Sequence, residues 1–318
     1  PEDRRTYRAE HTDRMSGEEG PAVPRRQVGS SPQHLLATLL GEYFESADAA
    51  LPSAAVVAIL REFDVTEAGA LAALSRLTRR GLIERVCVAR QPVYRLTPAA
   101  LARHHARMSH FLSFEARPRP WSGDWVMCSY SVPADRRAQR HGVRQVLTHL
   151  GFVLLYKGQW IRPGTPTSDV EKALGELLSV EAGDRWSVMH ATFADEPGPG
   201  GPARAYDLDA LRAQYEAFVR RFSPLCDRLA DGAVGGAEAL VARTRVMDSW
   251  RDFADTDPGL PPHLLPQPWP REEARRLFVE IHAVLGPLAQ ERLRALIEPY
   301  SAQAARCVTH FRYEPDDA

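Results

Sequence analysis

The stretch Val65-Thr-Glu-Ala-Gly-Ala-Leu-Ala-Ala-Leu-Ser-Arg-Leu-Thr-Arg-Arg-Gly81 is followed at once by Leu82-Ile-Glu-Arg-Val-Cys-Val88 and, after a polar break, by Val93-Tyr-Arg-Leu96. Thr66 suits a helix N-cap, because its hydroxyl can accept an otherwise unpaired backbone N–H. Leucines at helical spacing run up to Gly81, the residue type favoured at a left-handed helix stop. A capped helix followed by a hairpin predicts a winged helix, whose helix enters the DNA major groove and whose hairpin contacts the backbone beside it.

The cations are concentrated around this stretch, although the net charge of the whole chain is only −1. Between residues 76 and 107 the sequence contains one acid, Glu84, and a group of arginines: Arg76, Arg79, Arg80, Arg85, Arg90, Arg95, Arg103 and Arg107. A local basic face on a neutral protein is typical of a DNA-binding module carried on a larger body. The alternative is a solvated helix face. The coincidence with the winged-helix pattern favours DNA.

Length and composition predict a cytoplasmic protein of two or three domains. The chain has 318 residues, and no apolar run approaches the roughly 20 residues that span a bilayer. No signal peptide is visible. The cysteines form no CxxC pair, which favours reduced thiols: Cys87, Cys128, Cys226 and Cys307.

The pattern along the chain predicts an α+β multidomain fold. Residues 1–31 read as a disordered leader, and residues 32–114 as a winged helix-turn-helix with a connecting helix. Residues 121–194 follow the order β-α-β-β-α-β of a ferredoxin-like domain. Residues 205–300 are helical, and residues 301–318 read as a loosely attached tail. Within the helical part, Gly286-Pro287 predicts an interruption of the helix that starts at Arg271.

Three sets of motifs follow each other along the chain. The first is Ala73–Leu82 with Tyr94–Thr97; the second is Trp121–Trp125 with Pro133, Arg144, Leu150–Phe152 and Trp160–Pro163; the third is Trp250–Phe253 with Asp257–Pro266 and Trp269-Pro270. In this order they resemble the PaaX-type transcriptional regulators, named for the repressor of phenylacetate catabolism. The resemblance covers roughly Pro32 to Ile297.

The resemblance implies a homodimeric repressor that binds a double-stranded DNA operator and is released by a small-molecule effector, an aryl- or acyl-CoA thioester such as phenylacetyl-CoA. Two departures from the family pattern concern DNA. Leu71 replaces an arginine early in the predicted recognition helix, and Ala89-Arg-Gln-Pro92 replaces a more basic wing tip. Both changes remove groups that could contact phosphates or bases.

The candidate DNA contacts come from the predicted helix and wing: Thr66, Glu67, Ser75, Arg76, Arg79, Arg80, Arg90 and Arg95. The arginines are candidates for phosphate contacts, and base readout is expected only near the face that carries Thr66, Glu67, Ala70 and Ser75. An alternative for Arg76 is a structural ion pair with Glu42 or Glu62 inside the domain.

The candidate effector contacts combine arginines that could clamp a CoA phosphate with aromatic residues that could line a slot. They are Arg144, Trp160, Arg162, Trp250, Arg251, His263 and Trp269. The alternative interpretation of Trp250 and Trp269 is core or domain-interface packing.

Enzymatic motifs are missing from the sequence. The topology of the central segment is shared with small nucleases whose first strand ends in a metal-binding aspartate, but Ser131 occupies that position. A hard cation needs such a carboxylate, and we expect no metal and no cofactor. The second hypothesis is a family relative recruited as an enzyme or ligand-binding protein, in which DNA binding has been reduced or lost.

Overall fold

The computed structural model describes residues 31–44, 49–88, 91–115, 121–164, 168–193 and 201–312. The predicted leader, apart from Ser31, and Arg90 at the hairpin tip therefore lie outside the described residues. The fold is a mixed helix and sheet multidomain structure with two separate sheets and a helical C-terminal part.

The N-terminal module (residues 32–96) packs three helices against a small sheet. Its elements are α1 (Pro32–Tyr43), β1 (Leu51–Pro52), α2 (Ser53–Arg61), α3 (Glu67–Arg79), β2 (Ile83–Val88) and β3 (Gln91–Leu96). The Thr66 hydroxyl caps α3 by accepting the Gly69 N–H at 3.2 Å, and Gly81 has φ +65° after it. Capping, helix and hairpin therefore follow each other as the sequence predicts.

The strand order in this sheet is β1-β3-β2, all antiparallel. Leu51-Pro52, directly before α2, forms an edge strand against Val93 and Tyr94. Proline lacks the N–H that an inner strand would need, so an edge position suits it. Helix α4 (Pro98–Glu115) then leaves the module.

The central module (residues 125–191) is a four-stranded antiparallel sheet with two helices. Its elements are β4 (Trp125–Ser131), α5 (Arg137–His149), β5 (Val153–Tyr156), β6 (Gln159–Pro163), α6 (Ser168–Leu177) and β7 (Arg185–Ala191), in the sheet order β5-β6-β4-β7. One sheet face packs on α5 and α6 through Cys128, Val143 and Leu174. On the other face, Trp125 and Ile161 pack against Ala203 and Leu264, which belong to the chain after the sheet.

The C-terminal module (residues 208–312) contains α7 (Leu208–Ala230), α8 (Gly236–Thr256), α9 (Arg271–Ile297) and α10 (Ala302–Arg306). Trp250 stacks on Phe278 at its centre, with 5.1 Å between ring centroids. The predicted interruption of α9 at Pro287 is wrong, since the helix is continuous. Pro287 is exposed, while Leu285 and Ala289 on either side are fully buried. Packing of these neighbours holds the helix despite the hydrogen bond that proline removes.

The segment after α9 is packed, up to the last described residue. Ala304 and Val308 are buried in the core of the N-terminal module. The Thr309 N–H donates to the Tyr43 carbonyl and the Phe311 N–H donates to the Glu42 carbonyl, each at 3.1 Å. The prediction of a loose tail is therefore wrong for residues 301–312. The reason is that carbonyls in the last turn of a helix lack partners within the helix, and this segment supplies donors to α1.

A search of the described helices for a stretch long and apolar enough to cross a membrane finds none.

Candidate nucleic-acid interface

Helix α3 has one buried and one exposed face. Ala70, Ala73, Leu74 and Leu77 are buried in the module core, so the expectation that Ala70 lies on the base-reading face is wrong. The other face carries the side chains singled out from the sequence, which are all exposed: Thr66, Glu67, Ser75, Arg76 and Arg79, with Arg80 directly after the helix. The helical period of 3.6 residues produces this division, because the apolar residues recur three and four positions apart.

The arginines at the end of α3 and on the hairpin differ in their partners. Within the described part of the chain, the side chains of Arg76, Arg79 and Arg80 have neither an ion pair nor a hydrogen bond. The Arg95 Nε, in contrast, donates to Glu84 Oε1 at 2.7 Å, across the hairpin. The three unpartnered guanidinium groups are therefore free to bind an anion such as a DNA phosphate.

The structure argues against the alternative reading of Arg76. Glu42 is bound by Arg243 and Arg251, and Glu62 is bound by Arg292 at 2.6 Å. Arg76 is exposed, so the structural ion pair considered for it is not formed with either acid.

Leu71 lies on the exposed face of α3 and has 46% of its surface accessible. It lines a shallow groove with Val57 of α2 and Tyr300, which follows α9. Glu67, on the same groove, forms an exposed ion pair with Arg61 at 3.2 Å. The N-terminal half of α3 therefore exposes an apolar side chain, Leu71, and an acid that is paired with an arginine. Its C-terminal half exposes arginines without a partner among the described residues.

Sequence reasoning missed a buried charged cluster between α1 and the C-terminal helices. We call Glu42, Arg243, Arg251 and His282 the interdomain cluster. Arg251 Nη2 donates to Glu42 Oε1 at 2.6 Å, and Arg243 Nη1 donates to Glu42 Oε2 at 3.1 Å. His282 Nε2 lies 3.3 Å from the same Oε2. The available signal was an acid at the end of the apolar helix α1, since a buried carboxylate requires a cation from elsewhere.

The electrostatics of the cluster favour the ionised carboxylate. Burial by itself raises the pKa of Glu42, but Arg251, the His282 hydrogen bond and Arg243 outweigh it and lower that pKa from 4.5 to about 2. Burial lowers the pKa of His282, against the opposing effect of its hydrogen bond to Glu42. The cluster is thus an ionised acid held by two arginines and a neutral histidine.

Three candidate effector residues lie in the central module. Arg144 is exposed on α5, and Trp160 is buried in the core between the sheet and its helices. Arg162 Nη1 donates to the Leu150 carbonyl at 3.1 Å, and its guanidinium lies 5.0 Å from the ring centroid of Phe152. Burial lowers the pKa of Arg162.

The other four candidates lie in the C-terminal module. Trp250 is fully buried in its core, and Arg251 belongs to the interdomain cluster. His263 stacks on Trp121 with 4.8 Å between ring centroids. The Trp269 ring lies 5.2 Å from the guanidinium carbon of Arg212. The seven candidates therefore have separate surroundings, and the structure does not gather them around one slot.

The position discussed for a nuclease aspartate is Ser131, an exposed residue at the end of β4. Among the described residues, His, Cys, Asp and Glu side chains do not come together in a group of three or more that could hold a metal ion.

Comparison with known proteins gives matches along most of the chain. Three family models match in order: "PaaX-like protein" over residues 31–100, "PaaX protein central Cas2-like domain" over residues 118–198, and "PaaX-like protein C-terminal domain" over residues 206–295. The chain is 23% identical over 263 residues to the protein named Transcriptional repressor PaaX of Escherichia coli (strain K12), which covers 80% of each chain.

A solved structure has a similar fold. The uncharacterized protein Rv0674 from Mycobacterium tuberculosis matches with a TM-score of 0.53 and 23% identity, over 84% of this chain and 98% of that one. The order of the three family matches agrees with the order of the three modules in the structure. The chain belongs to the PaaX family of proteins.

Proposed function

We propose that this protein is a DNA-binding transcriptional regulator, a repressor that acts in the cytoplasm. The observation that carries the proposal is the exposed end of α3, where Arg76, Arg79 and Arg80 have no partner within the described part of the chain. The similarity to a protein named as a transcriptional repressor supports it.

In this proposal the N-terminal module is a winged helix-turn-helix. Helix α3 enters the major groove, and the β2–β3 hairpin is the wing. Thr66, Glu67 and Ser75 on the exposed face are placed to approach base edges, and the arginines bind phosphates: Arg76, Arg79, Arg80, Arg90 and Arg95. Arg95 is the weakest of these, because Glu84 already accepts a hydrogen bond from its Nε.

The rest of the chain serves assembly and regulation. We propose a ferredoxin-like domain over residues 121–194, supported by the sheet order β5-β6-β4-β7, and a homodimer that binds a two-part operator. The winged-helix domain comprises residues 32–114. The helical domain comprises residues 205–300, and the packed segment extends it to residue 312.

We propose a CoA thioester as the effector that releases DNA. Of the seven candidate residues, Arg144 and His263 are exposed and Arg162, Arg251 and Trp269 are partly exposed, so these five can reach a ligand. The buried Trp160 and Trp250 lie in the cores of two different modules and are proposed to act only through the packing of those cores. A ligand releases DNA only if it binds one conformation more tightly than the other.

The decisive experiment measures DNA binding by fluorescence anisotropy, with fragments that tile the region upstream of the protein's own gene. A scrambled fragment of equal length is the control. We expect binding that weakens steeply with salt and that phenylacetyl-CoA, but not free CoA, reverses. Failure to bind any tile better than the scrambled fragment would overturn the proposal. Turnover of a thioester in that case would support the recruited enzyme.

A further inference from the structure

We infer that Glu42 and the C-terminal segment (residues 307–312) fix the orientation of the N-terminal module on the C-terminal helices and so position α3. They are positioning residues, which act on DNA through the module and not by contact with it. The effect on DNA rests on the proposed function. The rigid attachment itself does not.

The first support is the interdomain cluster. Glu42 and Arg243 are buried, and both oxygens of Glu42 accept hydrogen bonds from arginines of α8. In a buried ion pair, the attraction between the partners offsets the cost of removing each charge from water. Displacement of α1 by a few ångströms would leave ions without partners in the interior and is therefore unfavourable. The cluster therefore permits one relative placement of α1 and α8.

The second support is the backbone of the C-terminal segment. It donates two hydrogen bonds to the end of α1, through the N–H groups of Thr309 and Phe311. On its other side, the Phe311 carbonyl accepts from Arg243 Nη2 at 2.6 Å, and the Val308 carbonyl accepts from Arg294 Nη2 at 2.8 Å. The segment thus joins α1 to both α8 and α9.

The third support is that further contacts lie away from the cluster. Thr38 donates to Asp248 Oδ1 at 2.7 Å, which joins α1 to α8 at another point. Arg292 Nη2 donates to Glu62 Oε1 at 2.6 Å, which joins the end of α2 to α9. Together with Leu293 and Ile297, which share the apolar core of α1 to α3, these contacts keep the two modules attached, while the interdomain cluster and the C-terminal segment fix the angle between them.

Fixed orientation matters for a dimer that binds two half-sites. Once one recognition helix has bound its half-site, the other binds the second half-site within the same complex. The effective concentration for this second step falls when the separation of the two recognition helices is no longer defined. A loosened N-terminal module should therefore still bind one half-site but lose affinity for the complete operator and preference for its spacing.

The first test needs no DNA. Spin labels at Ser75→Cys on α3 and Val284→Cys on α9, both exposed positions, report the distance between the modules by pulsed electron spin resonance. In the chain that is labelled, Cys87, Cys226 and Cys307 are replaced by serine. We expect a narrow distance distribution in the full chain and in a chain that ends at Arg312, and a broad one in a chain that ends at Arg306. Equal widths in both truncated chains would overturn the inference.

The second test uses Glu42→Gln, which keeps the shape of the side chain but removes its charge, in case the shorter chain does not fold. In this variant we again expect a broadened distribution, with the circular dichroism of the helices retained. A narrow distribution with retained helices would contradict the role of Glu42.

The third test measures DNA by anisotropy, on the complete operator, on one half-site, and on operators with one base pair added or removed. In the chain that ends at Arg306 we expect about a tenfold loss on the complete operator, little change on one half-site, and no spacing preference. Unchanged affinity and spacing preference would overturn the positioning role. If the full chain binds no DNA, the proposed function fails, while the spin-label distances still decide the rigid attachment.

Discussion

The arginines that contact α1 and those at the end of α3 have opposite environments. At the α1 side, Arg243 is fully buried and bound to Glu42. At the α3 side, Arg79 and Arg80 are exposed and unpartnered within the described residues. A buried guanidinium must be paired, so the first side is committed to structure. An exposed one contributes little to stability and is available for an external anion. Under the proposed function, the module is thus held in place by the first group of arginines and binds DNA through the second.

The largest expected effect is on the buried side. Glu42→Ala should lower the free energy of unfolding by about 3–5 kcal/mol, because Arg243 would remain buried without the Glu42 carboxylate that binds it. Urea denaturation followed by circular dichroism measures the change. The matched control is Glu62→Ala, whose partner Arg292 is more exposed than Arg243 and whose loss should cost clearly less. Equal losses of unfolding free energy in the two variants would show that the burial of Arg243 does not make its ion pair with Glu42 more important for stability.

The next effect is acid sensitivity of the same side. His310 contacts Gln290 through Nδ1 at 2.6 Å, and burial followed by the charges of Arg243 and Arg312 lowers its pKa from 6.5 to about 4. The unfolded chain therefore takes up the proton first, and stability present above pH 6.5 is lost as pH falls towards 4. Glu42 adds a loss between pH 4.5 and about 2. The hydrogen bond that His34 donates to Asp248 raises the pKa of His34, an opposing contribution.

The measurement is the urea midpoint at pH 7, 5.5 and 4.5. We expect a steady fall in the parent chain and a smaller fall in His310→Asn. A midpoint that rises on acidification in the parent chain would reverse the predicted sign.

A smaller effect on stability, and a clear one on DNA, is expected on the exposed side. Arg79→Ala should change the free energy of unfolding by no more than about 0.5 kcal/mol. It should weaken DNA binding on all sequences alike and reduce the salt slope by about 1, because one phosphate contact is removed. Anisotropy titrations at several salt concentrations measure both. An unchanged salt slope would show that Arg79 does not contact DNA.

A small effect on stability is also expected at an exposed glutamate–arginine pair, which can be compared with the buried pair at Glu42. Glu67 and Arg61 form a pair at 3.2 Å that is exposed on both sides. Glu67→Ala should therefore cost less than about 1 kcal/mol of unfolding free energy, against the larger cost expected for Glu42→Ala. A cost for Glu67→Ala as large as that for Glu42→Ala would mean that burial does not set the value of these pairs.

The sequence by itself determined the elements that depend on near neighbours. The Thr66 cap and the apolar period place α3 at Glu67–Arg79 within a residue of the predicted ends, because capping and helical faces are local properties. The family was also recognisable from ordered motifs, and the matches confirm it. The exposure of Arg79 and Arg80 follows from the same periodicity, whereas for Arg76 the sequence left a structural ion pair open.

Only the tertiary structure decided which charges are buried and what covers them. Glu42 meets Arg243 and His282 from more than 200 residues away along the chain, and no local pattern links them. The segment after α10 carries Val308 and Phe311 but is too short to show a period, and backbone donors that have no sequence signature join it to α1. Local periodicity determines the faces of each helix, whereas the partner of each face depends on how distant helices meet.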